Sequence, residues 1–326
     1  MIELSILIPS RNEEWLPETL KDLIKNKTEK TEIIVVIDGE EYPKPLPEHP
    51  DITYIRHETS HGQRASTNEA ARLAKGKYLM KVDAHCAFAK NFDEKIRQGF
   101  KDLGDNITQV PVMRNLHVFD WVCTQGHRRY QGPSGVCPVC GVAEEKEVIW
   151  YAKPNPASTS YRFDHTLHFQ YFREWKKSKA YQEQVKTGYT ETMSLQGSCF
   201  VLSAEKYWSL NICDEEFGSW GAQGTEVACK TWLSGGRCIV NHSTWYAHLF
   251  RTQGGDFTFP YKQDNKQIEH ARLRSQQLFL DNTWPQQIYP LVWLVNRFMP
   301  VPNWGDGHDE GRYKQIKDWA QKFYQD

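Results

Sequence analysis

Apolar residues along this chain gather into short runs separated by stretches with helical spacing. LSILIP (4–9), EIIVVID (32–38), ITYIRH (52–57) and KYLMKVD (77–83) are β-rich runs of strand length. Between them, EEWLPETLKDLIKN (13–26) spaces its apolar positions as a helix does, and GQRASTNEAARLAKG (62–76) predicts a second helix closed by a glycine. Strands alternating with helices predict an α/β unit on a largely parallel sheet, in which ligands bind beyond the carboxyl ends of the strands. The polar residues at those ends are therefore the first candidates for function: Ser10, Arg11 and Asn12, then Asp38, then Asp83 and His85. Near the other terminus, 263–282 and the stretch from PLVWLVNRFMPVPNW to RYKQIKDWAQKFYQ read as helices without a catalytic signature.

Composition narrows the classes. A chain of 326 residues, 39% hydrophobic, can bury a large core. Lys plus Arg (40) and Asp plus Glu (41) nearly cancel, so bulk charge announces neither a nucleic acid nor a membrane, and a polyanion site would have to be local. No apolar run approaches the roughly 20 residues that span a bilayer, and MIELSILIPSRNEE lacks the features of a leader, so a soluble, cytoplasmic protein is expected. Of the eight cysteines, Cys123, Cys137 and Cys140 cluster, while Cys86, Cys199, Cys213, Cys229 and Cys238 are scattered through apolar or helical contexts. Buried thiols plus one metal cluster, in a reducing compartment, are expected from that distribution.

Asp83 and His85 lie two apart at a strand exit, so in an extended chain both face one way and can share a divalent cation, Mn²⁺ before Mg²⁺ once a nitrogen ligates. Alone, D-x-H more often marks a strand-end turn with a solvated acid. Its setting is informative: LSILIPSRNEE, VVIDG and GQRASTNEAARLAKGKYLMKVDAH together resemble the GT-A nucleotide-diphospho-sugar transferases of glycosyltransferase family 2. Downstream, SWGAQGTEVACKTWLSGG (219–236) and WYAHLFR (245–251) are similar to the W-G-x-E-N-x-E…W-x-C-G-G and H-x-F-R stretches of the related polypeptide N-acetylgalactosaminyltransferases, which also carry D-x-H. The resemblance covers about residues 3–104 and 195–251 and implies a GT-A fold, a Rossmann-like mostly parallel sheet flanked by helices.

It further implies a metal on Asp83, His85 and His248 that bridges the two phosphates of a nucleotide-diphospho-sugar, UDP-linked by preference. The same likeness assigns Asp38 to the base and the Ser10, Arg11, Asn12 loop to the nucleoside, with Arg64 a candidate for the pyrophosphate and Arg251 a further donor-binding candidate. Read without the resemblance, Asp38 is a turn former, Arg64 a solvated helix residue and His248 a packed histidine. The pattern breaks at the catalytic acid, because Gln223 and Gly224 stand where the family carries E-D or E-N. Glu226, Asp214 and Trp220 are the remaining catalytic candidates, Glu226 doubling as an ordinary acid of a helix's first turn. An inverting transferase needs a base for the acceptor hydroxyl, whereas a retaining one can let the departing phosphate take the proton; the missing pair tilts the reading toward retention.

Between the matching regions, WVCTQGHRRYQGPSGVCPVCG (121–141) places Cys137 and Cys140 in C-x-x-C spacing, with Cys123 and His127 four apart upstream. Three thiolates and an imidazole satisfy a tetrahedral structural Zn²⁺, and nothing around them resembles a thioredoxin-like redox unit. The segment 150–190 interleaves aromatics (Tyr161, Phe163, Phe169, Tyr171, Phe172, Trp175) with cations (Arg162, Arg173, Lys176, Lys177, Lys179) and reads as an acceptor platform or as a lid packed on the core. The expected organisation is one transferase domain over 1–251, carrying both insertions, and a helical extension over 252–326 packed on the core. Its expected function is metal-dependent transfer of a sugar to a hydroxyl: hydroxymethylated bases in DNA of viral origin, or a glycan or protein. A sugar-nucleotide nucleotidyltransferase and a zinc-containing nucleic-acid-binding protein with a degenerate transferase domain are the rival classes, and IPSRNEE lacks the Gly-rich signature the former would need.

Overall fold

The computed structural model describes residues 1–250, 261 and 265–304. Its first half alternates as the pattern predicts: β1 (Leu4–Ser10), α1 (Leu16–Asn26), β2 (Thr31–Asp38), β3 (Ile52–His57), α2 (Gln63–Leu73), β4 (Tyr78–Val82), β5 (Cys86–Phe88) and α3 (Phe92–Leu103). A long hairpin follows, formed by β6 (Ile107–Cys123) and β8 (Glu144–Ser158), with β7 (Arg128–Tyr130) against β6 near its tip. The chain continues through β9 (Tyr161–Phe163), β10 (Phe169–Tyr171), α4 (Lys179–Val185), β11 (Tyr189–Glu191), β12 (Cys199–Ser203), α5 (Ala204–Ser209), α6 (Gln223–Leu233), β13 (Arg237–His248), α7 (Asn265–Ser275) and α8 (Leu291–Arg297).

The central sheet runs β11-β13-β6-β12-β4-β1-β2-β3. Strands β4, β1, β2 and β3 are mutually parallel, and β13 is parallel to β6. Between the two parallel sets, β12 runs antiparallel to both neighbours, so the sheet is mixed rather than uniformly parallel. Every residue of β1 and β2 is buried. Their near-continuous apolar runs are what a parallel strand covered on both faces requires. Strand β3, at the sheet's edge, is only partly buried along most of its length.

One expectation changes here, and one open alternative narrows. Gly76 does not cap α2, which ends at Leu73; a Cβ on Gly76 would sit 2.6 Å from the Ser5 nitrogen and 2.7 Å from the Leu4 carbonyl carbon. Only glycine lets the chain pass that close to β1 on its way into β4.

The second concerns the aromatic segment. Tyr161, Phe163, Phe172 and Trp175 are buried core residues rather than an exposed stacking surface. Trp175 meets Phe298 with ring centroids 4.7 Å apart, and Phe163 meets Trp304 at 6.2 Å, so the segment packs the chain after α8 against the sheet. Arg173, Lys176, Lys177 and Lys179 remain exposed on the turns that carry these rings. In α8, Leu291, Val292, Leu294 and Val295 are buried, while 305–326 lies outside the described residues. Among the described residues, no helix is long and apolar enough to cross a membrane.

Candidate functional site

The carboxyl ends of β1, β2 and β4 open on one edge of the sheet, as parallel pairing demands. Ser10 is in register with Ile37, which places it beside Asp38 at the end of β2. Asn12 adopts φ 43°, a left-handed turn that its short polar side chain tolerates, and its N–H donates to the Glu40 carbonyl at 2.7 Å. Arg11 pairs with Glu40 at 3.0 Å. Ser10, Glu13, Ile37, Tyr42 and Leu46 line a recess at this edge.

Asp83 follows the last residue of β4, and the chain then bends through Ala84 and His85 into β5. The D-x-H pair is therefore not held by an extended strand. Its third member arrives across the sheet: β5 pairs antiparallel with β13 in a register that sets His248 opposite Cys86, and the Leu249 N–H donates to the His85 carbonyl at 3.2 Å. His248 Nε2 lies 3.1 Å from His85 Nε2 and 3.3 Å from an Asp83 oxygen. One ligand atom from each of the three residues falls within 4.8 Å of the others.

The electrostatics fit a cation. Burial alone would raise the Asp83 carboxyl, but the Lys81 ammonium, His248 and His85 outweigh it and hold the group well below the usual carboxylate range. Burial brings His248 down to about 4, overriding the bond to Asp83, so at neutral pH it is an uncharged imidazole. Two imidazole nitrogens and a carboxylate oxygen aimed at one point form a donor set that a divalent ion can share, while His248 Nδ1 is buried without a hydrogen-bond partner among the described residues. Glu13 completes the set: His85 Nδ1 donates to its carboxylate at 3.0 Å, which turns Nε2 toward the centre. The helical spacing of 13–26 marks Glu13 only as a helix-start residue, and its one local signal is an acid directly after the β1 loop. Lys81, read as part of an apolar strand, is fully buried and bonds both Asp83 and the Gly197 carbonyl, so it holds one Asp83 oxygen while the other faces the histidines.

Several other candidates have different employment. Asp38 is wholly buried and accepts from Ser60 Oγ (2.8 Å), His61 N (2.6 Å) and Gly62 N (2.9 Å). These bonds outweigh its burial and lower its pKa, and they commit the carboxylate to the loop ahead of α2. Arg64 is neither a solvated helix residue nor a cation open to phosphate. Its guanidinium bonds Glu226 at 2.9 and 3.1 Å and the carbonyls of Gly218 and Gly221 at 3.0 and 2.7 Å, all with the side chain 1% exposed. Glu226, fully buried, also accepts from Lys230 Nζ at 2.8 Å and from the Asp214 N–H at 3.0 Å. Asp214 caps the short turn Glu215–Phe217 by accepting from Glu216 N. Glu226 and Asp214 are thus parts of a closed network that shapes the loop before α6, not free bases. Trp220 is half-buried in that loop, and Arg251 lies outside the described residues.

A Cβ on Gly224 would lie 2.0 Å from the Leu195 carbonyl oxygen, so no larger residue fits at the second position of the family's pair, while Gln223, at the first, is buried with its amide 3.3 Å from Cys213 Sγ. At the tip of the β6–β8 hairpin, Cys123, His127, Cys137 and Cys140 converge, with Cys123 Sγ 3.5 Å from His127 Nδ1 and 3.7 Å from Cys140 Sγ, and Cys137 Sγ 3.6 Å from His127 Nδ1. Burial raises the Cys137 thiol, but the N–H groups of Val139 and Cys140 and the neighbouring thiols bring it to about 7, the condition of a sulfur ready to ligate. Purified protein should hold about one zinc per chain that survives mild EDTA, because a closed Cys₃His shell binds far more tightly than an open oxygen-rich one. Elemental analysis checks this, and Cys137→Ser should release the metal.

Residues 5–210 match the family model described as Glycosyl transferase family 2. Among curated proteins, one named putative polypeptide N-acetylgalactosaminyltransferase 13, from Drosophila melanogaster, is 23% identical over 232 residues, covering 71% of this chain and 34% of its own length. Human polypeptide N-acetylgalactosaminyltransferase 14 is 23% identical over 85% of this chain and 46% of its own. The chain thus spans about a third to a half of the length of these relatives. Among solved structures, GalNAc-T7 with UDP, GalNAc and Mn²⁺ superposes with a TM-score of 0.60 at 17% identity, over 98% of this chain and 55% of that one. That likeness establishes the GT-A fold.

Proposed function

This chain belongs to glycosyl transferase family 2, and we propose that it transfers a sugar from a nucleotide-diphosphate donor, UDP-linked, to a hydroxyl of a protein or glycan. The observation that carries the proposal is the convergence of Asp83, His85 and His248 at the carboxyl edge of the sheet, beside the recess at Ser10. Asp83, His85 and His248 would hold Mn²⁺ or Mg²⁺, which supplies charge neutralisation to the two phosphates as they leave with the nucleotide. Glu13 orients His85, Lys81 orients Asp83, and the loop fastened to Asp38 forms the wall on the nucleoside side. UDP and Mn²⁺ in the GalNAc-T7 structure support the donor and the cation, and the names of the relatives support a polypeptide acceptor.

Retention of anomeric configuration is part of the proposal. Glu226 is sealed among cations and Asp214 is bonded to its own turn, so neither is free to deprotonate an acceptor. The departing phosphate is left to take the proton. Hydroxymethylated DNA is a second acceptor reading, favoured by one observation: Arg173, Lys176, Lys177 and Lys179 are exposed together on adjacent turns, as a backbone-tracking patch requires. The eight unpaired cysteines support a reducing, cytoplasmic setting.

The test is donor hydrolysis and transfer by the full chain with Mn²⁺, a panel of UDP-sugars, and Ser/Thr peptides, glycans and hydroxymethylated DNA as acceptors. An α-linked product on peptide or glycan is expected. Transfer confined to DNA, sensitive to Lys176→Glu and Lys177→Glu, would select the second reading, a β-linked product would overturn retention, and no turnover of any donor would overturn the assignment.

A further inference from the structure

Beyond the Asp83 centre and the cysteine knuckle, a third set of metal-ligating side chains lies at the outer edge of the sheet. His57 ends β3, His61 sits in the loop before α2, and Glu69 projects from α2; one ligand atom from each lies within 4.8 Å of the others. His57 Nε2 is 2.6 Å from a Glu69 oxygen, and the His61 ring stacks on the His57 ring with centroids 4.1 Å apart. On the far side of His57, Nδ1 faces the buried Asp38 carboxylate at 3.3 Å. A carboxylate behind one ring nitrogen, leaving the other directed at a cluster of donors, is the arrangement by which proteins fix the tautomer and raise the basicity of a metal-bound histidine.

We infer that His57, His61 and Glu69 form a second transition-metal site, taking Zn²⁺ through His57 Nε2, a His61 nitrogen and a Glu69 oxygen, with Asp38 behind His57. Two imidazoles and one carboxylate suit Zn²⁺, and a three-residue set leaves the fourth tetrahedral position to water. His61 is exposed and Glu69 about a third exposed, so both can turn to open the space that the ion needs. The site has a structural consequence that follows from its connections. His61 N and Gly62 N already donate to Asp38, and Gln63 Nε2 reaches Asp83 at 3.5 Å. An ion on His61 would therefore tie the loop that joins Asp38 to Asp83 onto β3 and α2, from outside the sugar-nucleotide site.

Equilibrium dialysis of the full chain against micromolar Zn²⁺, followed by elemental analysis, tests this. Wild-type protein should hold one more equivalent than either His61→Ala or Glu69→Gln, whose side chains are too exposed for the changes to unfold the protein. The knuckle and the Asp83 centre contribute equally to all three proteins, so the difference isolates this site. Imidazole ¹H–¹⁵N spectra should show His57 protonated at Nδ1 and zinc-shifted at Nε2. Equal zinc content in wild type and either variant would overturn the inference, as would a zinc shift at His57 Nδ1.

Discussion

Asp83→Asn or His248→Ala will lower Mn²⁺-dependent donor turnover by at least about a hundredfold while the protein stays folded. Each change removes one of three side chains that hold the charge-neutralising ion, and loss of a single preorganised stabilising group at a developing anion costs about 10²–10³ in rate. The loss should track metal binding: Mn²⁺ titration by electron paramagnetic resonance would show weakened binding in both variants. Glu13→Gln should be milder, about 10–100-fold in metal affinity, because the amide keeps contact with His85 Nδ1 but no longer draws its proton. A His248→Ala enzyme with normal Mn²⁺ affinity would remove His248 from the shell and leave β13 a purely structural partner of β5.

Glu226→Gln should act on stability before it acts on chemistry. Glu226 accepts from Arg64 and Lys230, each 1% exposed, so an amide in its place strips buried Arg64 of the carboxylate it bonds and leaves Lys230 with Asp214, at 3.8 Å, as its carboxylate partner. Breaking such a pair costs about 3–5 kcal/mol, a large share of the 5–15 kcal/mol by which domains are typically stable. A fall in Tm of roughly 5–15 °C is expected for a chain of this size. Well below that Tm, the folded fraction should retain donor hydrolysis, and transfer should fall modestly as the loop from Gly218 to Gly221 loses the Arg64 bonds in their native geometry. Differential scanning calorimetry alongside single-turnover transfer separates the two effects. A variant of unchanged Tm that binds donor yet transfers nothing would make Glu226 the acceptor's base and revive an inverting mechanism.

Asp83 and His85 were visible in the sequence because a strand end and a two-residue spacing are local properties, and the likeness of WYAHLFR to a known stretch added His248. The alternation of apolar runs and helical spacing likewise defined β1, α1, β2, β3, α2 and β4, since burial on both faces of a parallel strand requires the uninterrupted apolar run that LSILIP and EIIVVID carry. C-x-x-C spacing did the same for Cys137 and Cys140, where two ligands on one short turn are already half a zinc shell.

What the tertiary structure alone decided are the pairings across long separations. Arg64 and Glu226 are 162 residues apart, and nothing local to either distinguishes a phosphate-binding arginine or a catalytic acid from the two halves of a buried ion pair. Desolvation settles that difference, and desolvation depends on what packs around the pair. Gly76 and Gly224 read as a helix cap and a missing acid until the approach of β1 and of the Leu195 carbonyl showed that a Cβ has no room. Lys81, inside the strand run KYLMKVD, becomes intelligible only beside Asp83 and the Gly197 carbonyl, which take its charge and its protons. Spacing along the chain determines which residues share an element and a face. Which faces meet, and so which charges are sealed from water and which stay open to a ligand, is determined by packing among elements distant in the sequence.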